Sequence, residues 1–158
     1  MSFERKLADL GIALPAPPKP VATYIPAVLV GELLFLSGVI PFRDGTLVFE
    51  GKLGRELTVE QGYEAARIAL LNALAIVRHE LGTLDRVKRI VRMTGHVASA
   101  DGFVQHPAVI NGASDLLVKI FGDAGKHARV ALGAAELPLN APVEIELIVQ
   151  VNPSIPST

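Results

Sequence analysis

Arg129 and the carboxylates Glu144 and Glu146 share one stretch, residues 127–151 (HARVALGAAELPLNAPVEIELIVQV), whose other members are mostly apolar. A guanidinium is a planar fork that can hold a carboxylate in two places at once, so Arg129 would suit a small carboxylate-bearing ligand. The same residues would equally make a structural pair, with Glu144 answering Arg129 or Lys126, because ion-pair networks also concentrate charge. Asn111 stands inside a helical pattern, where an asparagine competes for backbone hydrogen bonds and asks for a partner. Of the four histidines, His79 falls in the last turn of a helix, where a cation meets the negative dipole end. His96 shares a strand face with Lys88, Arg92 and Thr94, and His106 precedes a helix. His127, two before Arg129, shares that residue's face and could add a second substrate contact or a proton relay. No His-x-His or His-Glu-x-x-His spacing occurs, so no metal site is expected.

The elements that must position these side chains can be read from periodicity. Residues 127–151 read as two strands joined by a polar corner at Leu137-Pro138-Leu139-Asn140-Ala141-Pro142; period-2 geometry puts Val143, Ile145, Leu147, Val149 and Val151 on one face and Glu144, Glu146, Ile148 and Gln150 on the other. Upstream, Val28-Leu29-Val30, a Gly31-Glu32 turn and Leu33-Leu34-Phe35-Leu36 form a hairpin closed by Ser37-Gly38 and Pro41. A third strand is expected over residues 46–49 after the Asp44-Gly45 turn. Thr58 with Gln61 opens a long helix by a capping box, and Gly82 ends it. Its stripe is Val59, Tyr63, Ala66, Leu70, Ala73, Val77 and Leu81, and apolar residues beyond the stripe suggest burial against more than one layer. Residues 86–98 read as a strand with Val87, Val91, Met93 and Val97 on one face. Pro107 opens a second helix with Val109, Ala113, Leu116, Leu117 and Ile120 inward. The order βββ-α-β-α-ββ is that of a two-layer α+β domain, a mixed sheet with two helices on one face. Residues 1–20 read as an N-terminal arm with a short amphipathic helix over residues 2–10 and a proline-rich stretch, and residues 21–158 as the single domain.

Arg129, then Leu137-Pro138, then Val143-Glu144-Ile145-Glu146 resembles the closing signature of the Rid (YjgF-like) family of reactive-intermediate deaminases. Tyr24, the Ser37-Gly38-Val39-Ile40-Pro41 turn, Asn72 and Asn111 recur in the family's order, and the resemblance covers nearly the whole chain beyond Gly11. It implies a chorismate-mutase-like fold, a homotrimer with sites between subunits, no cofactor, and hydrolysis of 2-imino or 2-enamino acids to 2-keto acids and ammonia. In that reading Arg129 clamps the substrate carboxylate, and Glu144 polarises a water and relays protons. Tyr24 walls the pocket, while Ser37 and Asn111 orient the imine nitrogen or the water. Val39 stands where deaminating members often carry Gln, and Ala131 where many carry Cys, so the pocket's shape and natural substrate stay open.

Composition narrows the classes. With 158 residues, half of them hydrophobic but only 5% aromatic, the chain suits one domain packed from small aliphatic side chains. Fifteen Lys and Arg against sixteen Asp and Glu give a formal charge of −1, so no overall field favours a polyanion. The absence of cysteine excludes a disulfide framework, a thiolate metal site and a cysteine nucleophile. The opening residues show no apolar core of a signal peptide and no run approaches a membrane span, so a cytoplasmic protein is expected. Two rival functions remain: a trimer that binds a small carboxylate without turnover, and an RNA-binding or RNA-cleaving protein using the basic strand Arg86, Lys88, Arg89 and Arg92. That strand lacks interleaved aromatics for base stacking.

Overall fold

A computed structural model describes residues 2–20 and 22–154. Three α-helices and a mixed five-stranded sheet form two layers, as the periodicity predicts. The helices are α1 (Phe3–Asp9), α2 (Val59–Leu81) and α3 (His106–Phe121). The sheet comprises β1 (Ala27–Val30), β2 (Leu33–Leu36), β5 (Val87–Ala98), β6 (Ala128–Ala134) and β7 (Val143–Val151) in the order β1-β2-β7-β5-β6. Only β5 and β6 run parallel. That pairing needs a crossover, and α3 supplies it, lying on the sheet face that α2 also covers.

The expected third strand over residues 46–49 is instead a separate two-stranded hairpin, β3 (Phe42–Arg43) and β4 (Thr46–Leu47). Asp44 and Gly45 both take positive φ in the turn, and two residue pairs form, Phe42 with Leu47 and Arg43 with Thr46. Strand β5 also departs from strict alternation. Register shifts between Val87 and Arg89 and between Ile90 and Arg92 turn Ile90, rather than Val91, into the core beside Val87, Met93 and Val97.

Helix α2 starts on the expected capping box, with the Thr58 hydroxyl accepting from the Gln61 amide and the Gln61 side chain accepting from the Thr58 amide. Gly82 ends it in the left-handed conformation. Its apolar circumference is buried within this chain: Ala65, Ala66, Ile68, Ala69, Leu70, Ala73, Leu74, Ala75, Ile76 and Val77 are all covered. The sheet lies on one side and α3 on another. That pattern therefore carries no argument about a partner subunit. The two helices approach closely enough that a Cβ on Gly112 would sit 2.8 Å from the Tyr63 carbonyl carbon, which is why α3 carries a glycine at mid-length.

The N-terminal arm is tied down at its start. Ser2 caps α1, Leu7 is buried, and the Phe3 ring packs edge-on against Phe121 at 4.7 Å. Asp85 accepts hydrogen bonds from the Ser2 hydroxyl and the Phe3 and Glu4 amides, while Glu4 accepts one from the Leu84 amide at 2.8 Å. From Ile12 to Pro20 the arm then runs without regular structure. No helix among the described residues is long and apolar enough to cross a membrane.

Candidate functional site

The five residues singled out from sequence fall into two groups. Tyr24, Ser37 and Glu144 line one cleft of about 270 Å³. Arg129 and Asn111 do not line it; they meet each other elsewhere, Nη1 of Arg129 donating to Oδ1 of Asn111 at 2.7 Å.

Strand register explains the separation. Glu144 pairs with His96, and His96 with Leu132, whereas Leu147 pairs with Met93 and Met93 with Arg129. Met93 and Leu147 are buried beneath the helices, so Arg129 leaves the sheet on the helix side and reaches α3. Glu144 belongs to the alternate row, which faces the uncovered side. The two rows are three residues apart, roughly 10 Å along the strands, and β6 and β7 are separated by β5, roughly another 10 Å. One chain does not bring Arg129 and Glu144 onto a common ligand.

The Glu144 carboxylate lies directly over Gly38. A Cβ there would stand 2.9 Å from the carboxyl carbon, so the glycine after Ser37 makes the seat. Burial pushes the Glu144 carboxyl above its ordinary range; neighbouring His96 opposes this and Glu146 adds to it. His96 itself contacts Glu146 through Nε2 at 2.8 Å. A carboxyl raised in this way is a stronger base than an exposed glutamate, the direction that suits a group that takes and returns a proton. Ser37 lines the cleft but spends its proton on the Ile25 carbonyl at 2.6 Å, fixing the backbone next to Tyr24 and leaving only lone pairs for a ligand.

The cleft floor is held from α2. Asn72, the one buried polar side chain among the described residues, donates through Nδ2 to the carbonyls of Ile40 and Phe42 at 3.2 and 2.8 Å. Its amide thus fastens the segment after Ser37 to the long helix.

On the other side, Arg129 Nη1 also donates to the Ser114 hydroxyl at 3.1 Å. Ser114 in turn meets Nε2 of His127 at 3.0 Å, and Nδ1 of His127 lies 2.6 Å from the Gly125 carbonyl. A carbonyl only accepts, so Nδ1 carries the proton. In the neutral ring Nε2 then takes the Ser114 hydrogen, and the Ser114 oxygen is free to receive Arg129. His127 therefore sits behind Arg129 rather than beside a ligand. Hydrogen bonds among the described residues engage Nη1 alone, leaving the Nε and Nη2 edge of the fork for a carboxylate.

Sequence reasoning missed Ser114, Pro18, Lys19, Pro20 and Leu139. Ser114 could have been found, since it lies three residues after Asn111 and so shares its helix face. The three arm residues and Leu139 had no local signal, because a chain fold-back rather than a motif brings them to the cleft. The basic strand is largely spoken for. Arg86 donates to the carbonyls of Leu81 and Asn152, Arg89 to that of Lys126, and Lys88 lies 4.0 Å from Glu32. No group of three or more His, Cys, Asp or Glu side chains among the described residues could hold a metal ion.

A mixed sheet with α2 and α3 on one face defines a two-layer α+β protein, with a half-buried glutamate at an apolar cleft. The chain belongs to the YjgF/Rid family: residues 4–151 match the model described as "YjgF/chorismate_mutase-like, putative endoribonuclease". It is 42% identical to "Protein TCP17" of Trypanosoma cruzi over 92% of each chain. It is 29% identical to a "2-iminobutanoate/2-iminopropanoate deaminase" of Dermatophagoides farinae, over 89% of this chain and 94% of the relative. The crystal structure of Agrobacterium tumefaciens Atu1372, a protein of unknown function, superposes with a TM-score of 0.88 at 40% identity, covering 95% of this chain and 92% of that one. Escherichia coli TdcF, solved with bound serine, matches with a TM-score of 0.62 at 26% identity over 87% of this chain and 94% of its own.

Proposed function

We propose that this protein hydrolyses 2-imino and 2-enamino acids to 2-keto acids and ammonia, in clefts completed between subunits of a homotrimer. The observation that carries the reading is the Glu144 carboxyl, seated on Gly38 at the edge of an apolar cleft and raised above its ordinary range. An iminium carbon needs a water held against it and a group that can take and return a proton. Glu144 takes a proton from water as its oxygen bonds to C2, and the C=N pair moves onto nitrogen. Returning that proton to nitrogen makes ammonia the leaving group; as the C–N bond breaks, the Glu144 carboxylate takes the hydroxyl proton of the carbinolamine and the C=O bond of the ketone forms. Arg129, fixed by Asn111 and Ser114, holds the substrate carboxylate from the neighbouring subunit. The deaminase name of a relative at 29% identity and the serine bound by TdcF support a small amino-acid-like ligand. Because such imines already hydrolyse in water, positioning and electrostatics are enough to account for catalysis.

The test is the rate of ammonia and 2-keto-acid formation from freshly generated imino acids. Wild type should accelerate it, and Arg129→Ala should lower kcat/KM at least about 30-fold with the fold intact, the usual cost of truncating one partner of a buried charged pair. An Arg129→Ala protein with unchanged turnover and unchanged 2-keto-acid binding would refute the clamp.

A further inference from the structure

We infer that the cleft selects 2-imino acids carrying a bulky apolar side chain, which the proline arm and Leu139 enclose; this rests on the deaminase reading above and specifies its substrate. Two features of the cleft point there. Its walls are apolar on several sides: Pro18 and Pro20 from the arm, Val39 and Phe42 from the floor, Ile76 from α2, and Leu139 from the corner before β7. Its polar side chains are few. Ser37 has given its proton to Ile25 and Glu144 is occupied with the reacting centre, which leaves the Tyr24 hydroxyl and the Lys19 ammonium as the side-chain donors of the lining. Against the proline, Val39, Phe42, Ile76 and Leu139 surfaces a polar side chain would lose water without replacement, whereas an apolar one gains by leaving water.

Leu139 sharpens the argument. It is 65% exposed at the cleft, and its backbone takes φ 56°, a left-handed conformation uncommon for leucine. That exposure leaves hydrocarbon which the other described residues do not cover. A ligand's hydrocarbon in the cleft would. The arm adds to the same lining: its helix α1 is pinned to Asp85 and Phe121, and the segment that follows brings Pro18 and Pro20 to the cleft.

Lys19 sets up the contrary outcome, because it is the cation in the lining and would reward an acidic side chain instead. The experiment is a calorimetric titration of the full-length protein with pyruvate, 4-methyl-2-oxopentanoate, phenylpyruvate and 2-oxoglutarate, paired with kcat/KM for the corresponding imino acids. The branched and aromatic keto acids should bind at least about tenfold more tightly than pyruvate. Leu139→Asp, a change at an exposed position, should narrow that ratio to about threefold or less. Equal affinities across the series, or tightest binding of 2-oxoglutarate, would overturn the inference. Apolar preference in binding without acceleration of any imine would sink the deaminase reading and leave the selectivity standing. Acceleration of all imines without size preference would do the reverse, and no binding of any keto acid would overturn both.

Discussion

Glu144 gives up stability for the position it holds. Its carboxyl is raised first by burial, with Glu146 adding and His96 opposing, so the folded chain keeps this proton to higher pH than the unfolded chain, whose glutamate titrates near 4.5. Between those two values the folded state binds more protons, and stability falls as pH rises through the interval. The penalty is complete above it. Glu144→Gln removes the charge at nearly constant shape, so it should raise Tm at neutral pH by about 1–3 °C, with no advantage below about pH 4.5, while abolishing turnover. Thermal melts of both proteins across pH 4–8 check this, and a variant less stable at pH 7 than at pH 4 relative to wild type would contradict the assignment. At this scale the candidates rest on a resemblance: Arg129, Glu144, Tyr24, Ser37 and Asn111 stand in the family's order, and the alternation of 143–151 puts Glu144 on the face opposite the buried residues. That Arg129 and Glu144 leave opposite faces was not legible, since it depends on the register of β6 against β5 and β7. Ser37 acting as an anchor for the Tyr24 segment likewise needed the position of the Ile25 carbonyl.

Between elements, α1 and the short helical turn Leu84–Arg86 cap each other across the chain. Asp85 closes the start of α1 while Glu4 closes the start of the turn. Burial disfavours the Asp85 charge, yet the Ser2 hydroxyl and the Glu4 and Phe3 amides outweigh it and hold the carboxyl below its ordinary value. The anchor is therefore fully present above the unfolded value near 3.8 and is lost as pH falls through the folded one. Asp85→Ala should cost about 1 kcal/mol, the usual worth of a helix cap, and hydrogen exchange at the Phe3 and Glu4 amides should quicken while α2 stays protected. Unchanged protection of the arm would show that Phe3 and Leu7 alone hold it. The helix over residues 2–10 was readable from Phe3, Leu7 and Leu10, but its partner eighty residues away was not. The same non-local cause hid the β5 bulges and the size of the β3–β4 hairpin: each is set by the strand or turn opposite, not by its own residues. The long capped helix, with its stripe and its stop, needed no such partner and was read almost to the residue.

Over the whole molecule, the helices cover one face of the sheet and leave the other open. In register across that open face run Val28, Phe35 and Ile148, and beside them Glu144, His96 and Leu132; Val28, Phe35 and Leu132 are large apolar residues left exposed. An uncovered sheet face with apolar side chains is the surface the proposed trimer would use. The proposed function requires the free edge of one Arg129 to meet the Glu144 cleft of a neighbour, because a single chain does not bring the two together. The opposed directions of these two side chains have a genetic consequence. Arg129→Ala and Glu144→Gln would each be inactive alone, yet subunits of the two variants, unfolded together and reassembled, should complement each other. With random assortment about one site in four would join an intact arginine to an intact glutamate, so the mixture should recover about a quarter of wild-type activity. A mixture as dead as its parents would mean that each chain works by itself.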